Sequence, residues 1–302
     1  MKRRVLLVLV LAVIAPFGLL AADYVKLGTL ERFWRNQYSI GYGDARHGAT
    51  VVAKFGENPD VDNATAEHVW DCPELGAPNE YVFTHSAYTL YLSSSSAADT
   101  TQTISVSGLD ENWDRQTVTL TVTGQTFAQV GSASGWMRVN RAFNAGSATP
   151  DDVLAGDLYL ATDNTDAGGD GIPDTLTSIK ACIRQGKEQT LMAIWTAPDD
   201  VLSYIDNWCA SVVTGGASPS TKAAKFSGFA RSNSPLVGTL RPQTTFGLAS
   251  SGTSMVCKRF IPPLWIPERT DLVGGIGDDS TNNTFVSATF DVLLFQKTAR
   301  GL

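Results

Sequence analysis

Thr117-Val118-Thr119-Leu120-Thr121-Val122-Thr123 alternates hydroxyl and aliphatic side chains without a break. Successive strand side chains point to opposite faces, so Val118, Leu120 and Val122 share one face and the threonines the other. The stretch just upstream repeats the pattern, with Ile104 and Val106 between Thr103, Ser105 and Ser107. Gly108-Leu109-Asp110-Glu111-Asn112-Trp113-Asp114 joins the two and supplies the turn residues of a hairpin loop. Two half-buried antiparallel strands joined this way point to an all-β fold.

The same period recurs along the chain. Apolar-rich runs of strand length cover 136–143, 157–162, 176–183, 190–196, 201–213 and 222–230. Near the end Val286, Ala288, Phe290, Val292 and Leu294 fall on one face. Turn clusters such as Thr214-Gly215-Gly216 and Asn233-Ser234-Pro235 separate the runs. Pro262, Pro263 and Pro267 make the stretch after Phe260 an edge or a crossing segment, because proline cannot donate to a ladder. After residue 60 no long helical pattern interrupts the series. The expectation is an antiparallel β-sandwich of jelly-roll type with an extended N-terminal arm.

Three segments follow. Residues 1–22 join Lys2, Arg3 and Arg4 to an apolar run, the shape of an export signal or a membrane anchor. Residues 23–59 read as the arm: a short helix over 30–37 capped by Thr29, then glycines at 41, 43, 48 and 56 with little periodicity. Residues 60–302 form the body, read either as one elaborated sandwich or as two divided near 144–155.

Composition narrows the function. With 43% hydrophobic and 18% charged residues the chain is neither disordered nor a coiled coil. Its net charge is −7, with no basic block beyond the first four residues, so no nucleic-acid partner is expected. Contact with a membrane is expected only through residues 5–22. Cys72, Cys182, Cys209 and Cys257 allow two disulfides in any of three pairings, or four reduced thiols. The chain carries no HExxH, no GxSxG and no phosphate-binding GxxxxGK. Gly131-Ser132-Ala133-Ser134-Gly135 approaches a nucleophile elbow but has Ala133 at its centre. His47, His68 and His85 lack evident partners, and no enzymatic activity is expected.

One loop carries a chemical signal. Asp163, Asp166, Asp170 and Asp174 lie within twelve residues, with Gly168, Gly169 and Gly171 among them. Short carboxylates on a glycine-rich loop can supply the oxygens that Ca²⁺ requires, so these four are the candidate metal ligands and Ca²⁺ the one candidate cofactor. The alternative is a solvated loop in which Asp and Gly make turns.

An ordered series of blocks supplies a resemblance. Phe55-Gly56-Glu57-Asn58-Pro59-Asp60 opens it, followed by Ser105-Val106-Ser107-Gly108-Leu109 and Trp136-Met137-Arg138-Val139-Asn140. Gln189-Thr190-Leu191-Met192-Ala193-Ile194-Trp195, Glu268-Arg269-Thr270-Asp271-Leu272 and Ser287-Ala288-Thr289-Phe290-Asp291 complete it. The series resembles the virion structural proteins of tailed bacteriophages common in aquatic environments. The resemblance implies a non-enzymatic particle component of the head, neck or tail, working as a homo-oligomer with other virion proteins. Trp265, between Pro263 and Pro267, is then a candidate docking anchor against a neighbouring subunit; otherwise it is a core residue. The rival class is a secreted or cell-surface bacterial adhesin or carbohydrate-binding module, which residues 1–22 favour.

Overall fold

In chain order the strands are β1 (Ala49–Val61), β2 (Glu67–His68), β3 (Leu90–Ser94), β4 (Thr103–Leu109), β5 (Arg115–Thr121) and β6 (Ala128–Val130). Then come β7 (Arg138–Gly146), β8 (Leu158–Ala161), β9 (Ile179–Ile183), β10 (Ile194–Thr196) and β11 (Val201–Val213). The last are β12 (Ala223–Ser232), β13 (Arg241–Ala249), β14 (Met255–Ile266), β15 (Thr270–Ile276) and β16 (Thr284–Gln296). The computed structural model describes residues 49–63, 65–72, 79–146, 153–213, 222–250, 255–278 and 280–297. The apolar segment 5–22, the helix expected over 30–37 and His47 lie outside the described residues.

The threonine-rich hairpin forms as its alternation requires. β4 pairs antiparallel with β5, placing Ile104 opposite Leu120 and Val106 opposite Val118. On β5 the threonines face solvent while Val118 and Leu120 are half-buried against a core. β4 is central, between β5 and β7, so even its Ser105 is buried.

The described strands make an all-β fold of four sheets, ordered β5-β4-β7, β6-β3-β8-β9, β10-β15-β12-β13 and β1-β16-β11-β14. β2 adds to β15 beside the third. Among the described residues two large hydrophobic cores stand beside a small cluster of Leu109, Trp113 and Met137. The first gathers Leu90, Leu92, Ile104, Val106, Trp136 and Tyr159 from the first two sheets. The second gathers Trp195, Trp208, Phe226, Leu272, Val286 and Phe290 from the other two. Each fully buried side chain of this size contributes about 1.5–3 kcal/mol relative to exposure.

Two features of the strands bear on the expected boundaries. A division near 144–155 would part β7 from β8, but residues of both, Val139 and Tyr159, pack in the first core. The change of core comes instead around β10, where Ile194 belongs to the first and Trp195 to the second. Alternation on this strand sends neighbouring side chains to opposite faces. The arm expected to run to residue 59 gives way to strand at Ala49, since β1 lies beside β16. Its polar sequence hides this role: Lys54 and Asn58 are buried, and Gly56 lies so close to Met192 and Ala193 that a Cβ would meet the Ala193 nitrogen at 2.2 Å.

The cysteines form two disulfides, Cys72–Cys182 and Cys209–Cys257. The first is buried; the second joins directly opposed residues of β11 and β14 at the surface.

Candidate interaction surface

Three groups of polar or exposed side chains are candidates for function, and their surroundings separate them. The acidic loop runs between β8 and a 3-10 turn at Leu176–Ser178. Asp166 accepts the N–H groups of Gly169 (2.6 Å), Asp170 (3.2 Å) and Gly171 (2.7 Å). Those of Gly171 and then Asp170 and Gly169 hold its carboxyl below the usual range. Asp163 accepts the N–H groups of Thr165 and Thr175, Asp170 that of Ile172, and Asp174 that of Ala167. All four acids close the loop on its own backbone. Among the described residues no group of three or more His, Cys, Asp or Glu side chains is placed to hold a metal ion. These contacts give the clustering a structural role of its own, because Asp satisfies turn N–H groups. Gly171, at φ +79°, seats the loop on β3, where an added Cβ would fall 1.9 Å from the Ser94 carbonyl oxygen.

The second group centres on a buried carboxylate. Asp271 of β15 has no exposed surface and accepts from Arg138 of β7 (2.9 and 3.2 Å) and Arg231 of β12 (3.2 and 2.5 Å). Thr196 and Asn233 complete its shell at 2.6 and 2.8 Å. Burial alone would push this carboxyl up, but Arg138 beside it prevails and holds it below the usual range. Phe83 stacks with both guanidinium groups, at 5.2 and 4.5 Å, and Trp113 with that of Arg138 at 5.0 Å. Arg269 pairs with Asp199 and Arg115 with Asp200. This junction ties the first core to the second around the enclosed Asp271, with Asp199 and Asp200 partly exposed at its margin.

Two of the three histidines, His68 and His85, lie among the described residues. His68 is half-buried, and its Nδ1 accepts the Tyr81 N–H at 2.9 Å. Burial, then the charge of Arg231, pulls it down to about 4. His85 is exposed on the loop before β3.

The third group lies at the sheet edges. β13 and β14 are the outer strands of their sheets and are exposed along most of their length. Opposite Ile205 and Asn207 of β11 stand Leu264 and Arg259 of β14, so residues 260–263 bulge past the single Asp206. The bulge contains Pro262 and Pro263 and drives Ile261 to 79% exposure. Met255 and Trp265 are each 56% exposed, so Trp265 is a surface residue and the core alternative falls. Leu236 and Val237, between β12 and β13, are also exposed apolar side chains. The Cys209–Cys257 bridge fastens β14 to β11, so the apolar groups stand on a braced strand. The prolines around Trp265 were the sequence signal for this face; Met255 and Ile261 carried none, because their exposure depends on the bulge and on edge position.

Between β13 and the end of β14 runs a groove of about 280 Å³, lined by Ser232, Thr239, Arg241, Gln243, Trp265 and Pro267 among others. Among the described residues no helix is long and apolar enough to cross a membrane. No protein-family model and no curated protein matches the chain. Among solved structures, the Gx strain of infectious bursal disease virus aligns at 8% identity over 83% of this chain and 73% of that one, with a TM-score of 0.19. The Gt strain aligns at 8% over 83% and 78%, with 0.18. A mutant VP2 protein of the same virus, in derived T=1 particles, aligns at 9% over 84% and 75%, also with 0.18. Scores this low do not establish a shared fold.

Proposed function

We propose that this chain is a non-enzymatic structural component of a tailed-phage virion, built as two jelly-roll-like β-sandwiches that assemble with their own copies and with other virion proteins. The ordered blocks from Phe55 to Asp291 support the phage assignment by resemblance. The observation that carries an assembly role is β14: a twelve-residue outer strand that holds Met255 and Ile261 to solvent beside an edge with no partner strand among the described residues. Such an edge is a template for another chain, and apolar side chains on it gain by being covered. Residues 23–48 would act as the second docking element, an arm reaching a neighbouring subunit on the head, neck or tail.

Mass spectrometry of purified particles tests this. Peptides covering 189–198 should appear in the particle at a stoichiometry of several copies. Finding them only as free protein in the culture supernatant overturns the proposal.

A secreted or cell-surface binding module is the second reading, favoured by the two disulfides together with the charged and apolar start of the chain. Disulfides persist in oxidising compartments. Intact-mass measurement would support this reading with a mature N-terminus near residue 23 and no free thiol.

A further inference from the structure

The groove beside Trp265 has a chemistry unlike the rest of the β14 face. Its apolar wall is Trp265 with Leu264 and Pro267, while Ser232, Thr239 and Gln243 bring hydroxyl and amide groups. Arg241 and Gln243 of β13 both line the groove, at a register shift that leaves Gln243 unpaired with β12. Arg241 is the one charged residue on the lining, is exposed, and makes no ion pair among the described residues.

We propose that this groove binds an acidic saccharide, with a sugar ring laid on the Trp265 indole and its carboxylate held by Arg241. A pyranose has an apolar C–H face and a rim of hydroxyls that both donate and accept. The groove offers the matching pair, a flat aromatic surface and a set of short polar side chains. Ser232 and Gln243 already bond the chain's own backbone, but a wholly apolar partner would still cover the Arg241 guanidinium without satisfying it. A neutral sugar would leave the Arg241 guanidinium without its natural counterpart, whereas a uronate carboxylate can accept two parallel N–H bonds from it. A nucleic acid would bring dense negative charge to a chain of net charge −7. The inference goes beyond the assembly role and does not require it.

Isothermal titration of the full chain with oligouronates from alginate and with neutral dextran oligomers is the test. The oligouronates should bind, and dextran oligomers should bind on the order of tenfold more weakly, the size of effect expected from one lost charged hydrogen bond. Trp265→Ala should abolish measurable binding of both, and Arg241→Gln should reduce the oligouronates to the dextran level. Both side chains are exposed, so both variants should melt as the parent does, which a thermal scan verifies. Absence of oligouronate binding, or equal binding by either variant, overturns the proposal. So does a Trp265→Ala protein that binds saccharide normally but sediments as a smaller species, since Trp265 would then be a protein contact.

Discussion

Arg138 and Arg241 are both strand arginines, and their surroundings are opposite. Arg138 is 2% exposed, and its guanidinium donates to Asp271 and to the carbonyls of Thr84 and Met137 while lying near the Phe83 and Trp113 rings. Arg241 sits on an outer strand, exposed and without an ion pair among the described residues. A buried charge must find its partners within the fold, because leaving it unmatched costs several kcal/mol. A surface charge carries no such obligation, so an unmatched one is available to a ligand. The junction is therefore the part that holds the molecule together, and the β13–β14 face is the part left for something else.

The sharpest way to break this contrast is to remove the carboxylate at the junction. Asp271→Ala leaves two guanidinium groups facing a site with no counter-charge, and should lower stability by about 3–5 kcal/mol in urea denaturation. A loss below about 1 kcal/mol, the ordinary value for an exposed pair, would mean that water reaches the junction and that the contrast is false.

Buried Lys54 sharpens the same point through pH. Burial, then the nearby Arg141, pulls its amine down to about 7, and its Nζ donates to the Asn140 carbonyl. In the unfolded chain it titrates near 10.5. Between these values the unfolded state holds the proton that the folded state gives up, so stability rises with pH across that window. Lys180, pulled down to about 8 mainly by burial, adds a rise of the same sign from there upward. Denaturation at pH 7.5 and 9.5 should show the increase, and Lys54→Met should remove up to about 1.4 kcal/mol per pH unit of the slope. A slope unchanged in Lys54→Met would place that amine in solvent.

The acidic loop gives a smaller effect. Gly171→Ala forces a side chain into a left-handed backbone position against the Ser94 carbonyl, and should cost about 1–3 kcal/mol. Excess Ca²⁺ should leave the Tm unchanged, because the carboxylates already hold backbone N–H groups. A Tm raised by Ca²⁺ over chelator would restore these acids as ligands.

Much of the fold is readable in the sequence wherever one face of a strand is buried and the other is wet. β5 is the clear case, and β11 begins and ends where its apolar run does. Strands that escaped the reading fall into two kinds. β15, Thr270–Ile276, is buried on both faces, so it has no alternation to display. β1 is polar because it lies between elements that satisfy it: Lys54 reaches Asn140, and Asn58 donates to buried Glu67 at 2.7 Å. The disulfide pairing was equally invisible, since spacing along the chain does not report register across β11 and β14. The acidic loop admits two readings for a related reason. The residues that ligate calcium are also those that satisfy turn N–H groups, and only geometry separates the two uses. Trp265 was marked by its prolines, but a tryptophan between prolines is exposed or buried according to which side of the sheet edge it meets.

The smallest expected change in stability tests the other half of the contrast. Met255 and Ile261 lie on a strand whose neighbour on one side is β11 and whose other edge is open. Replacing both with serine removes apolar surface that the folded monomer leaves mostly in water. Surface changes of this kind shift stability by about 0.5 kcal/mol or less. If β14 is the assembly edge, the double variant should melt as the parent does and yet fail to associate, read by sedimentation and by incorporation into particles. The distinction matters because a strand that served only to cover the second core would respond the other way. Ile266, at 3% exposure, faces that core from the end of the same strand. Ile266→Ser should therefore lower stability by about 2 kcal/mol or more, because it removes a buried apolar side chain and buries a hydroxyl. A double variant that unfolds as readily as Ile266→Ser would show that Met255 and Ile261 are covered within the monomer, and β14 would then be an ordinary core strand. Normal assembly of a stable double variant would move the docking element elsewhere, to residues 23–48 or to the Leu236 and Val237 loop.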